Sequence, residues 1–270
     1  MRTRFLLPLL AAGLLSLTAC DIEDLNPGHF TADFHQSQPL SAAGKVSVES
    51  FNGGIEISTW EQETVDISAT KYGSTQQMAD DMEIRVDHTA DAVSVRAVRP
   101  SIRHGNQGAK FVLRIPRTAV VDRITTSNGG IRVSQGAGPA HLHTSNGSIH
   151  VLGLAGGLDA QSSNGSITAD LTHATGAVRV ETSNGSIGLT LPGDFRDDIR
   201  AHTSNGGITV HLPREMNARI SARTSNAKIT SDFDLRMQGE LGRNHLDALM
   251  GTGGALVELT TSNGSIHLAR

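Results

Sequence analysis

The chain is poor in aromatic residues and has a single cysteine. Only 3% of its 270 residues are aromatic, with one tryptophan, Trp60, and one tyrosine, Tyr72. That leaves few flat rings of the kind that line sugar-binding clefts. The lone thiol, Cys20, excludes an internal disulfide and a thiolate metal cage. A formal net charge of -4 leaves no basic footprint for nucleic acid. No Gly-Gly-x-Gly-x-Asp calcium repeat is present. Glycine, in contrast, is abundant, with 29 residues. Many glycines with few aromatics imply many tight turns and a thin core of Val, Ile, Leu and Ala.

The first twenty residues read MRTRFLLPLLAAGLLSLTAC. Arg2 and Arg4 give a basic start, and the apolar run at 5–17 falls short of the roughly 20 residues of a membrane span. This is the pattern of a signal peptide, assigned to residues 1–19. The ending Leu17-Thr18-Ala19-Cys20 resembles the bacterial lipobox. That resemblance implies cleavage before Cys20 and lipid on its sulfur and new amino group, with several acyl chains giving firm anchoring. The alternative is an ordinary secreted protein. Asp21 resembles an inner-membrane retention signal, a weak pointer to the leaflet. Residues 20–40 show no clear period and read as the lipidated cysteine and a flexible tether.

The main signal is a repeat. TSNGSI occurs at 144–149, 182–187 and 261–266, TSNGGI at 126–131 and 203–208, SSNGSI at 162–167 and TSNAKI at 224–229; SFNGGI at 50–55 is an earlier relative. The closing isoleucines from Ile131 to Ile266 are spaced 18, 18, 20, 21, 21 and 37 residues apart. The final gap therefore holds an unrecognised repeat or an insertion, and its Gly-rich stretch at 239–254 reads as a long loop or hairpin. Two residues before each motif stand Ile124, Leu142, Ala160, Val180, Ala201, Ala222 and Leu259; two after each isoleucine stand Val133, Val151, Ala169, Leu189, Val210, Ser231 and Leu268. The columns between them are polar. Alternation of period two on both sides of a turn gives two half-buried strands per repeat.

Asn-Gly between two such strands is also a hairpin signal, so a meander of antiparallel hairpins is one reading. A hairpin does not require the same six residues each time, whereas a solenoid does. Coils stack about 4.8 Å apart, so each position meets its own copy. The expected fold is all-β: a right-handed parallel β-solenoid at 121–270, preceded by an antiparallel β-rich capping region at 41–120. Its corners are Asn128-Gly129, Asn146-Gly147, Asn164-Gly165, Asn184-Gly185, Asn205-Gly206, Asn226 and Asn263-Gly264. Pro192 and Pro213 belong at strand ends. A positive φ at the Gly position would cost Ala227 about 1–2 kcal/mol, so that coil has a different corner or the Asn takes the positive φ.

In the capping region, GKVSVESFNGGIEIS (44–58) looks like one early copy of the unit. Strands are expected at 64–71, 83–88, 92–98 and 110–115, a short helix at 74–82 and a loop at 101–108. The SNG[SG]I repeat after an alternating FNG segment resembles the "putative adhesin" family of bacterial envelope proteins, over roughly residues 41–269. The resemblance implies a β-solenoid-like fold in a secreted or membrane-attached protein of unknown function, and supplies no catalytic residue. Related envelope domains lie beside stress-response membrane proteins, which makes a sensory module the second reading.

Catalytic chemistry finds little support. Asp159 and Asp170 lie on different arms, and Asp194, Asp197 and Asp198 cluster at a corner, where Asp is a common turn residue. Seven equivalent motif serines would need seven bases to act as nucleophiles, and the neighbouring columns lack them. His141, His143 and His150 suggest a metal only if the two arms face one another. No cofactor or metal site is expected. Outward charges stack instead: Asp159, Arg179 and Arg200 in one column, Glu181, His202 and Arg223 in the next. The sequence thus describes a noncatalytic lipoprotein of the cell envelope, on the periplasmic side of a membrane in a Gram-negative cell. It is held to the membrane through Cys20 and offers a stiff polar face to an envelope protein or glycan; a carbohydrate-active enzyme is the third reading.

Overall fold

A computed structural model describes residues 30–99, 106–171, 173–237 and 242–270. Cys20 and the signal segment lie outside the described residues. Each repeat forms one coil of two strands joined by the Ser-Asn-Gly corner, and each coil is named here by its corner asparagine. The coils are Asn128 (Val120–Asn128, Ile131–Gly136), Asn146 (Ala140–Asn146, Ile149–Leu154), Asn164 (Leu158–Asn164, Ile167–Asp170), Asn184 (Val178–Asn184, Ile187–Thr190), Asn205 (Ile199–Asn205, Ile208–His211), Asn226 (Ala218–Thr224, Ile229–Ser231) and Asn263 (Ala255–Asn263, Ile266–Ala269). SFNGGI forms an eighth, Asn52, with strands Lys45–Glu49 and Ile55–Trp60.

The coils stack in parallel and in register. Ile149 pairs with Ile131 on one side and Ile167 on the other, and Leu142 pairs with Ile124 and Ala160. This excludes the meander, in which the two arms of a motif would pair with each other. Among the described residues, the eight first arms lie in a twelve-stranded sheet and the eight second arms in an eleven-stranded one, the remaining strands flanking them at the ends. The apolar columns of both fill the space between them. Burying an aliphatic side chain stabilises by about 1.5–3 kcal/mol, so many thin layers replace one thick core. At Asp122 the apolar column fails: a bulge between Val46 and Ser47 shifts the register, and buried Val121 takes the inward place.

The far corners explain the uneven spacing. Coils 18 residues apart are joined by short links. Where the spacing grows to 20 or 21, the added residues make a turn closed by Ala174 N to Leu171 O, Phe195 N to Pro192 O, or Met216 N to Pro213 O. Each turn tucks its last residue into the core: Ala174, Phe195 and Met216 are all buried.

At the N-terminal end, Ala92–Ala97 and Gly108–Pro116 pair in parallel with the Asn52 coil and act as a coil without the motif. Ile84–Thr89 and Thr64–Gly73 then pair antiparallel on these, as a cap should. The expected helix is the short segment Gln76–Asp80, capped by Thr75. Most of the expected loop, 101–105, lies outside the described residues. Hydrogen bonding continues across the 41–120 and 121–270 segments through Ile55–Ile131 and Val48–Ile124. One assignment needs correction. Phe30–Pro39, read as tether, is the edge strand of the cap, paired antiparallel along Thr64–Gly73. Its alternation was hidden because two of its half-buried residues are Gln36 and Gln38.

Stacking makes the core residues interdependent. Ile167→Ala should cost about 2–5 kcal/mol in urea unfolding, because a rigid layer cannot collapse around the cavity. Thr168→Ala, exposed on the next position, should stay within about 0.5 kcal/mol.

Candidate functional site

The most repeated surface is the corner ridge, and its geometry follows from three side-chain positions. The first is the motif hydroxyl, which points inward and is buried. Thr144 Oγ1 donates to Gly129 O at 2.9 Å, Ser162 Oγ to Gly147 O at 3.0 Å, and Thr182, Thr203, Thr261 and Thr224 do the same one coil on. A hydroxyl can replace an aliphatic residue here because its one donor has a fixed acceptor.

The second position is the asparagine. Asn146 Nδ2 donates to Asn128 Oδ1 at 2.8 Å, Asn164 to Asn146 at 2.9 Å, Asn184 to Asn164 at 2.9 Å and Asn205 to Asn184 at 2.9 Å. Asn263 continues to Asn205 and Asn226 to Asn263. At the other end Asn128 donates to Asn52, whose own amide donates to Gln107 O. Eight side chains thus form one ladder, running in one direction.

The third position is the glycine, for which the sequence left open whether a positive φ is needed. Of the motif glycines only Gly53 and Gly129 have a left-handed φ. The others are required by close approach: a Cβ at Gly147, Gly165, Gly185, Gly206 or Gly264 would collide with the carbonyl of the glycine one coil below. Ala227 has no positive φ. It sits in the end coil, where the first arm stops at Thr224 instead of running on to the asparagine. That coil has a different corner.

The ridge therefore spends its first hydroxyls and its asparagine amides on itself, while the middle serines of the motif, among them exposed Ser163 and Ser183, stay at its surface. The other residues that the sequence singles out are bonded elsewhere or lie apart, and Asp170 keeps one buried carboxylate oxygen, Oδ1, without a hydrogen-bond partner. Asp197 accepts from Gly176 N and Asp198 from Leu256 N, both at 2.8 Å, so these carboxylates tie far corners together. Asp159 accepts from Gln161 on the outer face of its sheet. His141 and His143 lie on the outer face of one sheet and His150 on that of the other. Among the described residues no three metal-ligating side chains come together. Trp60 lies under the Arg114 guanidinium, 4.6 Å away, while Arg114 holds the buried Asp66 carboxylate. Burial raises the Tyr72 phenol above its usual value.

The grooves are shallow and open. One of about 490 Å³ lies beside Thr59, Gln135, Leu152 and His173, and one of about 500 Å³ lies at the C-terminal end beside Met216, Asn217, Phe233 and Arg270. The outer faces carry the charge columns. Asp159 pairs with Arg179 and Arg179 with Arg200, as expected. Glu181 pairs with His202, but Thr260 stands between His202 and Arg223. The reason is topological: the last coil in sequence is the second-last in space. Sequence reasoning missed this, although Glu258, which pairs Arg200 at 3.4 Å, was a visible charge match.

Two carboxylates at this end titrate below the usual range. The Asp232 carboxylate is held down first by a hydrogen bond from His267, and Asp247 by one from Ser221 and then by His245. Lowered pKa values give stability that is full above the ordinary aspartate value of about 3.9 and lost as pH falls through the lowered one. Amide-exchange protection at 229–232 and 245–250 should therefore fall in acid before that of the Asn146 and Asn164 coils. The ridge makes a separate ordering. Gly165→Ala should lower stability by about 1–3 kcal/mol through overpacking, and Asn164→Ala by about 0.5–1.5 kcal/mol through lost amide bonds. Gly193→Ala, with nothing near its added Cβ, should be neutral in the same thermal melts.

No curated protein sequence matches the chain at a significant level. Among solved structures it is similar to a "putative adhesin" from Bacteroides fragilis, with 12% identity, a TM-score of 0.45, and coverage of 87% of this chain and 96% of that one. It is similar also to a "putative cell adhesion protein" from Clostridium sporogenes, at 13% identity and a TM-score of 0.40, covering 88% of this chain and 99% of that one. A third is a "Putative lipid binding protein" from Parabacteroides distasonis, at 12% identity and a TM-score of 0.36, covering 91% of this chain and 98% of that one. The model of the Toastrack DUF4097 family matches residues 41–235, and the chain belongs to that family.

Proposed function

We propose that the protein is a noncatalytic, adhesin-like module of the bacterial cell envelope. It is anchored by lipid on Cys20 and presents the flat outer faces of its stack to an extended envelope partner, a glycan or a protein. The observation that carries this reading is the use of the repeated residues. The motif Thr and Asn side chains bond the next coil, and the glycines make room for that contact. Beyond the small middle serines of the ridge, the outer face offers polar and charged side chains at regular spacing, among them Arg123, His141, Asp159, Arg179 and Arg200 in one row. A row that follows the coil repeat suits a ligand that is itself extended and repetitive, each contact being worth little alone and several adding up. Attachment through lipid rests on the lipobox-like ending Leu17-Thr18-Ala19-Cys20; among the described residues no helix is long and apolar enough to cross a membrane.

Cell fractionation tests the anchor. Cys20→Ser should move the protein from the membrane pellet to the soluble fraction, and unchanged pelleting would refute the lipoprotein reading. The face is tested separately with isolated envelope glycan and immobilised domain. Paired substitutions His141→Glu and Arg123→Glu should weaken retention several-fold with an unchanged melting curve; equal retention by the variant would count against this face.

A further inference from the structure

The C-terminal end of the stack is built out of chain order. The Asn226 coil follows the Asn205 coil by the same 21 residues that separate Asn205 from Asn184. Yet it does not lie on it. The C-terminal coil, Asn263, fills the level between them and bonds both neighbours. On the inner side Ile208 N donates to Ser265 O at 2.9 Å, and Asn263 Nδ2 to Asn205 Oδ1 at 2.8 Å. On the outer side Ile266 N donates to Lys228 O at 3.1 Å and Asn226 N to Ser262 O at 3.0 Å. The slot is one coil wide, and its walls carry the registers that a Thr-Ser-Asn-Gly-Ser-Ile segment satisfies.

The segment reaches the slot by passing over a strand. His245–Met250 lies antiparallel on one side of Ala218–Thr224, and Ala255–Asn263 lies parallel on the other. Ala218 accordingly faces both Met250 and Ala255. Residues 251–254 form a strap over the start of that strand. Gly251, Gly253 and Gly254 give it its bend, with φ of 62°, 80° and 159°. It is latched by Asn217, whose Oδ1 accepts from Thr252 N at 2.8 Å and Thr252 Oγ1 at 3.1 Å.

We propose that this slot is an exchange site between two copies of the chain. The C-terminal coil of one copy swings out on the glycine strap and fills the slot of a second, which returns its own. The contacts described for the segment are strand, ladder and ion-pair contacts, which a second copy supplies unchanged, so the closed pair keeps the segment's own bonds and gives up only those of the strap. The Asn226 coil does not refill the level while the segment is away: its Ala227 would bring a Cβ against the Gly206 carbonyl that Gly264 clears, so the vacated level stays open to a second copy. The inference stands apart from the adhesive reading, since it concerns only the end of the stack.

Thiol trapping on the full-length chain with Cys20→Ser tests it. His202 and Thr260 are cross-strand partners at the slot, and His143 and Gln161 are the equivalent partners in mid-stack. Chains bearing only His202→Cys are mixed with chains bearing only Thr260→Cys, warmed, and mildly oxidised. A mapped interchain disulfide between positions 202 and 260 is expected, with none for the His143→Cys and Gln161→Cys mixture. Asn217→Ala should speed linking by roughly tenfold, the equivalent of about 1.4 kcal/mol. Thr252→Ala, which removes only the hydroxyl bond, should give a smaller increase should the first variant fold poorly. The proposal is overturned if the slot mixture gives no interchain link while the double variant closes within one chain, or if slot and mid-stack pairs link equally.

Discussion

Everything in this molecule depends on one requirement: each coil must offer to the next the same surface that it receives from the one before. Backbone pairing sets the distance between levels, and all other groups must fit within it. The hydroxyl, amide and glycine of the corner are three answers to that one requirement. The hydroxyl reaches back to a carbonyl, the amide to another amide, and the glycine removes the atom that would have stood in the way. Because the ladder runs in one direction, its ends differ. One is closed by the Gln107 carbonyl, and the other ends at Asn226.

This changes the meaning of the repeated glycine. In a hairpin its value is conformational freedom, and any residue that tolerates the left-handed region can stand in. Here the backbone at most of these positions is ordinary, and what is prohibited is a side chain. The same reasoning accounts for Ala227. The coil that carries it does not copy the standard corner, so the stacking constraint does not act on it in the same form.

The fold was legible because period-two alternation and identity across copies are both local properties of sequence. Ile131, Ile149 and Ile167 announce their own pairing. Three features were hidden, each for a physical reason. Phe30–Pro39 pairs with a strand distant in sequence, and glutamines dilute its alternation. Asp122 interrupts an apolar column because a bulge moves the neighbour inward. The placement of the last coil is a question of which equivalent edge a segment finds, and equivalent edges look alike in sequence. The bonds made by the Ser-Asn-Gly residues could be assigned only from the register of whole coils, because each partner lies a full coil away in sequence.

The two edges of the stack are under different rules. On the ridge edge an added atom is felt in the next level, and through it in the one beyond. On the opposite edge the chain has already accepted two or three extra residues per level, folding them into small turns over Ala174, Phe195 and Met216 without disturbing the sheets. Gly193, in one of these turns, faces open space. The molecule thus has a spine that fixes its pagination and a margin that can be written on. New segments entered along that margin would be displayed at intervals set by the coils, which makes this edge the natural place for such a scaffold to acquire new binding loops.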